Sequence, residues 1–325
     1  MTTCKVSEGA PNRSAGLRDM LWRSGTATLA AALLLAAPLA QGQDTLRERW
    51  MARHAERADR ALPAGVQVLR DVAYGPGARQ RFDVYLPPPG RSPAGVVPIV
   101  FMVHGGAWRM GDKAHAPVVA HKVAHWVAQQ GLVLVSTNYG LLPGTPVAEQ
   151  LQDVARALAA VQREAARWGG DPQRVVAMGH SAGAHLVALL AARTDLAAAA
   201  AALPVLGTVA LDSAALDVPR IMQAPHMPLY DEPFGADPAQ WEALSPWHQW
   251  RPGVAPLLAV CSSPRRVSCE QARSLQARAA TLGTRVEVLP QALDHSEINA
   301  RLGEPGAYTQ AVDAFLRSLP GWPQR

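Results

Sequence analysis

Val175-Val176-Ala177-Met178-Gly179-His180-Ser181-Ala182-Gly183-Ala184-His185-Leu186-Val187-Ala188-Leu189-Leu190 is the stretch on which the reading of this chain turns. Its first four residues are an apolar run that reads as a buried strand, and from Ala184 onward the pattern reads as a helix. Between them lies Gly-x-Ser-x-Gly at a strand-to-helix turn, the setting of a nucleophile elbow. A serine on so tight a turn needs small neighbours, because a Cβ at either flank would meet the adjoining strand or helix. The turn exposes the Ser181 Oγ above the sheet edge, and the following helix aims its first N–H groups at negative charge developing there. Taken alone, the motif also admits a purely structural tight turn.

Two further segments speak for the chemical reading. Val97-Pro98-Ile99-Val100-Phe101-Met102-Val103 reads as a buried strand and runs into His104-Gly105-Gly106-Ala107-Trp108. A Gly-Gly pair lets the backbone turn its N–H groups into a cavity, which is how a loop builds an oxyanion hole. The expected donors are the amides of Gly106 and Ala107, joined by that of Ala182 after the serine; His104 is read as a brace for the loop. The third segment is Val286-Glu287-Val288-Leu289-Pro290-Gln291-Ala292-Leu293-Asp294-His295, a strand, a loop and a histidine, with helical sequence from Glu297. Oxyanion loop, then serine, then histidine last is the chain order of an α/β-hydrolase.

On these residues the chain resembles the α/β-hydrolases of the hormone-sensitive-lipase-like and bacterial feruloyl/acetyl esterase group, which includes kynurenine formamidase-like enzymes. The resemblance covers residues 66–319 and also rests on Asp83-Val84-Tyr85-Leu86-Pro87, Asn138-Tyr139 and Gly170-Asp171-Pro172-Gln173-Arg174-Val175. It implies a mostly parallel eight-stranded sheet with flanking helices and a small insert after the sixth strand. It also implies hydrolysis of carboxylic esters without a cofactor or metal.

One element departs from that pattern. The family's acid follows the seventh strand in His-Gly-x-Asp-Asp-x-Val-Pro, which falls here on Cys261-Ser262-Ser263-Pro264-Arg265-Arg266-Val267-Ser268. Arg265 stands at the acid position. A histidine base still needs an acceptor on Nδ1 to hold its tautomer and stabilise the imidazolium. Asp212, at the end of the strand Leu206–Leu211, is the expected replacement, much as pancreatic-type lipases carry their acid after the sixth strand. Asp217 is the alternative acid, with a loop-structural role as its competing reading; Asp294, beside His295, ranks third because neighbouring side chains diverge.

Composition bounds the remainder. Of the 325 residues, 49% are hydrophobic, enough for one large α/β core. Arg18 and Arg23 precede the apolar run Leu29–Ala37, which meets Pro38 and Ala40-Gln41-Gly42, the layout of a secretory signal peptide. The expected organisation is therefore a signal peptide over 1–42, an arginine-rich helix and linker over 43–65, and a hydrolase domain over 66–325. That implies a periplasmic or secreted protein with no stable membrane anchor after cleavage. The leader carries four basic and two acidic residues, so the formal charge of +5 drops to about +3 on its removal. This balance and the scattered basic residues exclude a nucleic-acid partner. Of three cysteines Cys4 leaves with the leader, and Cys261 and Cys269 are expected to pair as a disulfide around the loop that lost its acid, two free thiols being the alternative.

Residues 218–252 form a proline-rich, aromatic, cap-like insert that includes Tyr230, Phe234, Trp241, Trp247 and Trp250; overhang of the serine competes with ordinary packing as its reading. His121 and His125 share a helix face at metal-like spacing, but no third ligand stands nearby in sequence, and no metal is expected. The sequence thus points to a serine hydrolase cleaving a small-molecule ester, short-chain or aryl. Amide cleavage on the same residues and a catalytically silent binding scaffold remain the alternatives.

Overall fold

The computed structural model describes residues 62–92 and 95–324; the expected signal peptide of 1–42 and, except for residues 62–65, the expected helix and linker of 43–65 lie outside the described residues. Apolar runs without alternation dictate the centre of the architecture. Strands β3 (Val97–Val103), β4 (Val133–Thr137), β6 (Gly207–Leu211) and β7 (Leu257–Ser262) are buried at every position. Such runs suit a parallel sheet covered on both faces. By contrast β1 (Gln67–Ala73) alternates exposed and half-buried residues, as an edge strand should. With β2 (Arg81–Leu86), β5 (Gly170–His180) and β8 (Val286–Gln291) the sheet has eight strands in the order β1-β2-β4-β3-β5-β6-β7-β8. The β1–β2 and β2–β4 pairs are antiparallel and every other pair is parallel. The expected eight-stranded, mostly parallel sheet is what the chain forms.

Helices flank this sheet. They are α1 (Ala116–Lys122), which continues as a π-helical turn over Val123–Gln129, α2 (Val147–Glu164), α3 (Ala182–Ala192) and α4 (Thr194–Ala199). After β6 come four short helices, α5 (Val218–Met222), α6 (Asp231–Phe234), α7 (Pro238–Ala243) and α8 (Pro246–Gln249), which make up the insert. The chain then adds α9 (Arg266–Thr281), α10 (His295–Ala300) and α11 (Ala307–Arg317). No helix among the described residues is long and apolar enough to cross a membrane.

Two apolar clusters fill the interior, one around Phe82, Phe101, Trp126 and Phe315, the other around Leu257, Cys261, Leu275 and Trp250. The insert divides between them: Tyr230 and Phe234 join the first cluster, whereas Trp250 is buried in the second and donates its indole N–H to Thr284 Oγ1. Ordinary packing therefore accounts for Trp250, and a side-chain stack on Arg278 accounts for Trp247.

What matters for function is where the strands end. The loops after β3, β5, β6 and β8 leave the C-terminal ends of parallel strands, where open α/β sheets carry their sites. The β5–α3 crossing is held close to β3 by Gly183: a Cβ there would lie 2.3 Å from Val103 O and 2.5 Å from His104 O. Both are backbone atoms that no rotamer change can move. Gly183→Ala should therefore cost about 3 kcal/mol of stability in denaturant unfolding. Gly144→Ala, where the nearest atom is 3.8 Å away, should stay within about 0.5 kcal/mol of wild type.

Candidate active site

Ser181 has φ 55° and ψ −116°, a backbone conformation that costs a non-glycine residue energy and persists only where the surroundings enforce it. Here the enforcement is visible. The Ser181 N–H donates to Leu211 O at 2.9 Å, tying the turn to β6, and a Cβ on Gly179 would lie 2.3 Å from Gly183 O. The hydroxyl stands 3.0 Å from His295 Nε2, and His295 Nδ1 stands 2.6 Å from Asp212 Oδ2. A buried carboxylate only accepts, so Nδ1 carries the proton, and Nε2 faces the serine as an acceptor. Three side chains from the ends of β5, β6 and the loop after β8 thus form one hydrogen-bonded chain.

Asp212 is fully buried, and its backbone adopts the left-handed region at φ 54°. Burial works to raise its carboxyl pKa, but this is outweighed by the hydrogen bonds from His295, the Ser268 hydroxyl and the Ser262 N–H and by the charge of Arg265, which hold it well below the usual range. The pair with His295 is therefore made by the ionised carboxylate. Asp217 is placed elsewhere. It caps α5 by accepting the Arg220 N–H at 3.3 Å and lies 3.7 Å from His248 Nδ1. Asp294 caps α10, accepting the Ser296 and Glu297 N–H groups at 2.8 Å each. Of the three carboxylates weighed from the sequence, only Asp212 meets His295.

The loop His104–Trp108 packs directly on the serine: a Cβ on Gly105 would come within 3.0 Å of Ser181 Cβ. Gly106, Ala107 and Trp108 all have positive φ, at 126°, 51° and 58°. Among the described residues, the N–H groups of Gly106, Ala107 and Ala182 donate to no protein acceptor, so the three expected oxyanion donors are unspent. His104 braces this loop as expected. Its Nδ1–H donates to Gly105 O at 2.8 Å, its ring stacks on Tyr139 at 4.5 Å, and burial lowers its pKa to about 4.

Several groups at the site escaped the sequence reading. His180, the variable residue of the motif, donates Nε2–H to the His295 backbone carbonyl at 2.9 Å; burial lowers its pKa to about 3, so it is a neutral strut. His185, in α3, donates to Leu244 O at 2.7 Å and accepts the Trp108 indole N–H at 3.2 Å, with its pKa lowered to about 4 by burial. Around Trp108 the insert contributes Phe234 at 5.0 Å and Tyr230 at 6.2 Å between ring centroids. The sequence placed Tyr230 and Phe234 in an insert that could overhang the serine; for His180 and His185 its only hint was a histidine inside or just after Gly-x-Ser-x-Gly. His121 and His125 face separate carboxylates, Glu304 at 3.4 Å and Asp313 at 2.7 Å, and no metal-binding group occurs among the described residues. Cys261 and Cys269 are joined at an S–S distance of 2.00 Å.

The sheet order, the elbow and the loop positions define an α/β-hydrolase fold. Within it, residues 82–205 match the BD-FAE family model. Over 122 residues the chain is 34% identical to a probable isoprenylcysteine alpha-carbonyl methylesterase ICME of Oryza sativa subsp. japonica, a match over 38% of this chain and 28% of that protein. It is 36% identical over 121 residues to the esterase LipQ of Mycobacterium tuberculosis, covering 37% of this chain and 28% of that one. The chain thus spans under a third of the length of these curated relatives. Among solved structures, esterase B from Lactobacillus rhamnosis superposes with a TM-score of 0.65 at 19% identity, over 87% of this chain and 94% of that chain. Thermogutta terrifontis esterase 2 phosphoramylated by tabun superposes with a TM-score of 0.61 at 24% identity, over 78% and 94%.

Asp212→Asn should lower kcat by about 10⁴, because an amide donor facing Nδ1 holds the wrong tautomer at the serine. Asp217→Asn and Asp294→Asn should each stay within about threefold of wild type in steady-state kinetics, since a capping side chain contributes only to local stability.

Proposed function

We propose that this protein is an exported serine hydrolase that cleaves carboxylic esters with short-chain or aryl groups. The observation that carries the proposal is the chain Ser181 Oγ–His295 Nε2 at 3.0 Å and His295 Nδ1–Asp212 Oδ2 at 2.6 Å, beside unspent backbone donors. In this reading His295 takes the Ser181 proton as Oγ attacks the ester carbonyl, and Asp212 stabilises the imidazolium that forms. The N–H groups of Gly106, Ala107 and Ala182 bind the oxyanion, each contributing about 3 kcal/mol to lowering the barrier. His295 then protonates the leaving alcohol, and water, deprotonated by the same imidazole, releases the acid and regenerates Ser181. No step calls on a metal or cofactor.

The preference for small acyl groups rests on the packing around Trp108. Trp108, Tyr230 and Phe234 are 3%, 7% and 0% exposed, so the insert's rings pack on Trp108 and fill space beside the oxyanion loop. Methylesterase and carboxylesterase names among the matched relatives support the ester assignment. An intact Ser–His–Asp chain is more than a silent binding scaffold requires. Amide hydrolysis would use the same groups and differs only in the leaving group.

Wild type should react with a fluorophosphonate probe at Ser181, and Ser181→Ala should not. Its kcat/KM should fall from p-nitrophenyl acetate and butyrate to the palmitate ester and be at least about 10³ lower on a matched anilide; preference for palmitate or for the anilide would refute this part of the assignment.

Export is proposed from the leader-like sequence of 1–42, and the Cys261–Cys269 bond supports it, because such bonds persist in oxidising compartments. Protein recovered from the periplasm should show no alkylatable thiol once the leader and Cys4 are gone. Reduction should destabilise it by about 2.5 kcal/mol, as expected for a cross-link across a sequence separation of 8.

A further inference from the structure

Arg265 occupies the position at which the family pattern carries its acid, yet it stays at the site. Its Nη1 donates to Asp212 Oδ2 at 2.9 Å, reaches Asp212 O at 3.3 Å, and stands 3.0 Å from His295 Nδ1. Guanidinium and imidazole both present N–H groups there, so the short Nη1–Nδ1 distance is two donors converging on one carboxylate oxygen. The other oxygen, Oδ1, accepts the Ser262 N–H at 2.8 Å, and the Ser268 hydroxyl donates to Ser213 O, next to Asp212, at 3.4 Å. Ser262, Arg265 and Ser268 all lie in the segment that the Cys261–Cys269 bond closes into a ring.

The same ring also holds the histidine loop. Ser262 Oγ donates to Leu293 O at 2.7 Å, and the Ser263 N–H donates to Gln291 O at 2.9 Å. Inside the ring a turn closed by Arg265 N–H on Ser262 O at 3.1 Å sets the direction of the arginine. The Arg265 side chain is 31% exposed, while that of Asp212, which it holds, is fully buried. Apart from His295, Arg265 is the only ion-pair partner of Asp212 among the described residues. A carboxylate on a left-handed residue at a strand end, with one backbone donor on Oδ1, needs a second fixed charge to keep Oδ2 aimed at Nδ1.

We propose that Arg265 is a positioning residue that holds the Asp212 carboxylate against His295, mounted on the disulfide-closed segment 262–268. The segment that presents the acid in the family pattern here grips an acid presented by the neighbouring strand. This inference rests on the Ser181–His295–Asp212 reading given above and adds to it the device that makes the relocated acid work.

The test uses the full chain exported to the periplasm, with Arg265→Met, Arg265→Gln and Arg265→Lys. Arg265→Met should lower kcat on p-nitrophenyl acetate about ten- to a hundredfold with KM within about twofold, the effect of a misaligned catalytic group. Arg265→Lys, which keeps a charged donor, should recover a large part of that loss. In proton NMR the low-field His295 Nδ1–H resonance should move or broaden in the Met variant while the methyl spectrum keeps the wild-type pattern, which a loss of packing would not do. Should the Met variant not fold, Arg265→Gln is read by the same criteria. An unchanged or raised kcat with an unmoved resonance overturns the proposal, as does a Lys variant no better than Met. Fluorophosphonate labelling separates the two levels: a wild type that fails to label overturns the hydrolase reading itself, whereas a Met variant that labels at the wild-type rate overturns only the role of Arg265.

Discussion

The 2.6 Å contact between Asp212 Oδ2 and His295 Nδ1 is the constraint around which the site is organised. It joins the end of β6 to the loop after β8, across β7, so it exists only if three adjacent parallel strands keep their register. The Asp212 N–H on Val260 O at 2.8 Å secures one side of that span, and the Ser181 N–H on Leu211 O at 2.9 Å secures the other. A catalytic histidine on a loop is only as well placed as the partner of its second nitrogen, because the imidazole ring has no other means of choosing a tautomer.

The electrostatics around that contact follow a single theme. His104, His180 and His185 are all buried, all neutral because burial lowers their pKa values, and all engaged through an N–H donated to a backbone carbonyl. They act as rigid polar struts that set the oxyanion loop, the His295 backbone and the insert without adding charge. The charged side chains that meet His295 are Asp212 and Arg265, which compensate each other in a place where a lone buried ion would be costly.

Backbone strain is concentrated in the same region. Ser181, Asp212, Ala107 and Trp108 all lie at positive φ, and each ends a strand or follows one closely. Such conformations survive where the surrounding packing over-determines them. Here the determinants are close backbone approaches, Gly183 against Val103 and Gly106 against Met110. The sheet and helix α3 supply the rigidity from which a few residues are held out of their preferred wells.

Much of this was legible in one dimension, for reasons that can be stated residue by residue. The apolar runs 97–103, 175–178 and 206–211 read as buried strands, and the spacing of His104-Gly105-Gly106, Ser181 and His295 along the chain carries the fold's order. Those signals are local, because strand burial and tight turns depend on neighbouring residues. The sequence also brought the acid down to a choice among Asp212, Asp217 and Asp294, and made the absence of a carboxylate at 265 plain. It put Asp212 first, but it could not say that Arg265 would turn back onto Asp212, or reveal that His180 would reach the His295 carbonyl, since those contacts join residues 53 and 115 positions apart. Which aspartate meets the imidazole is decided by strand register and by the direction in which a loop closed at Cys261 and Cys269 projects its side chains. Those are properties of the packed sheet, and no stretch of sequence holds them alone.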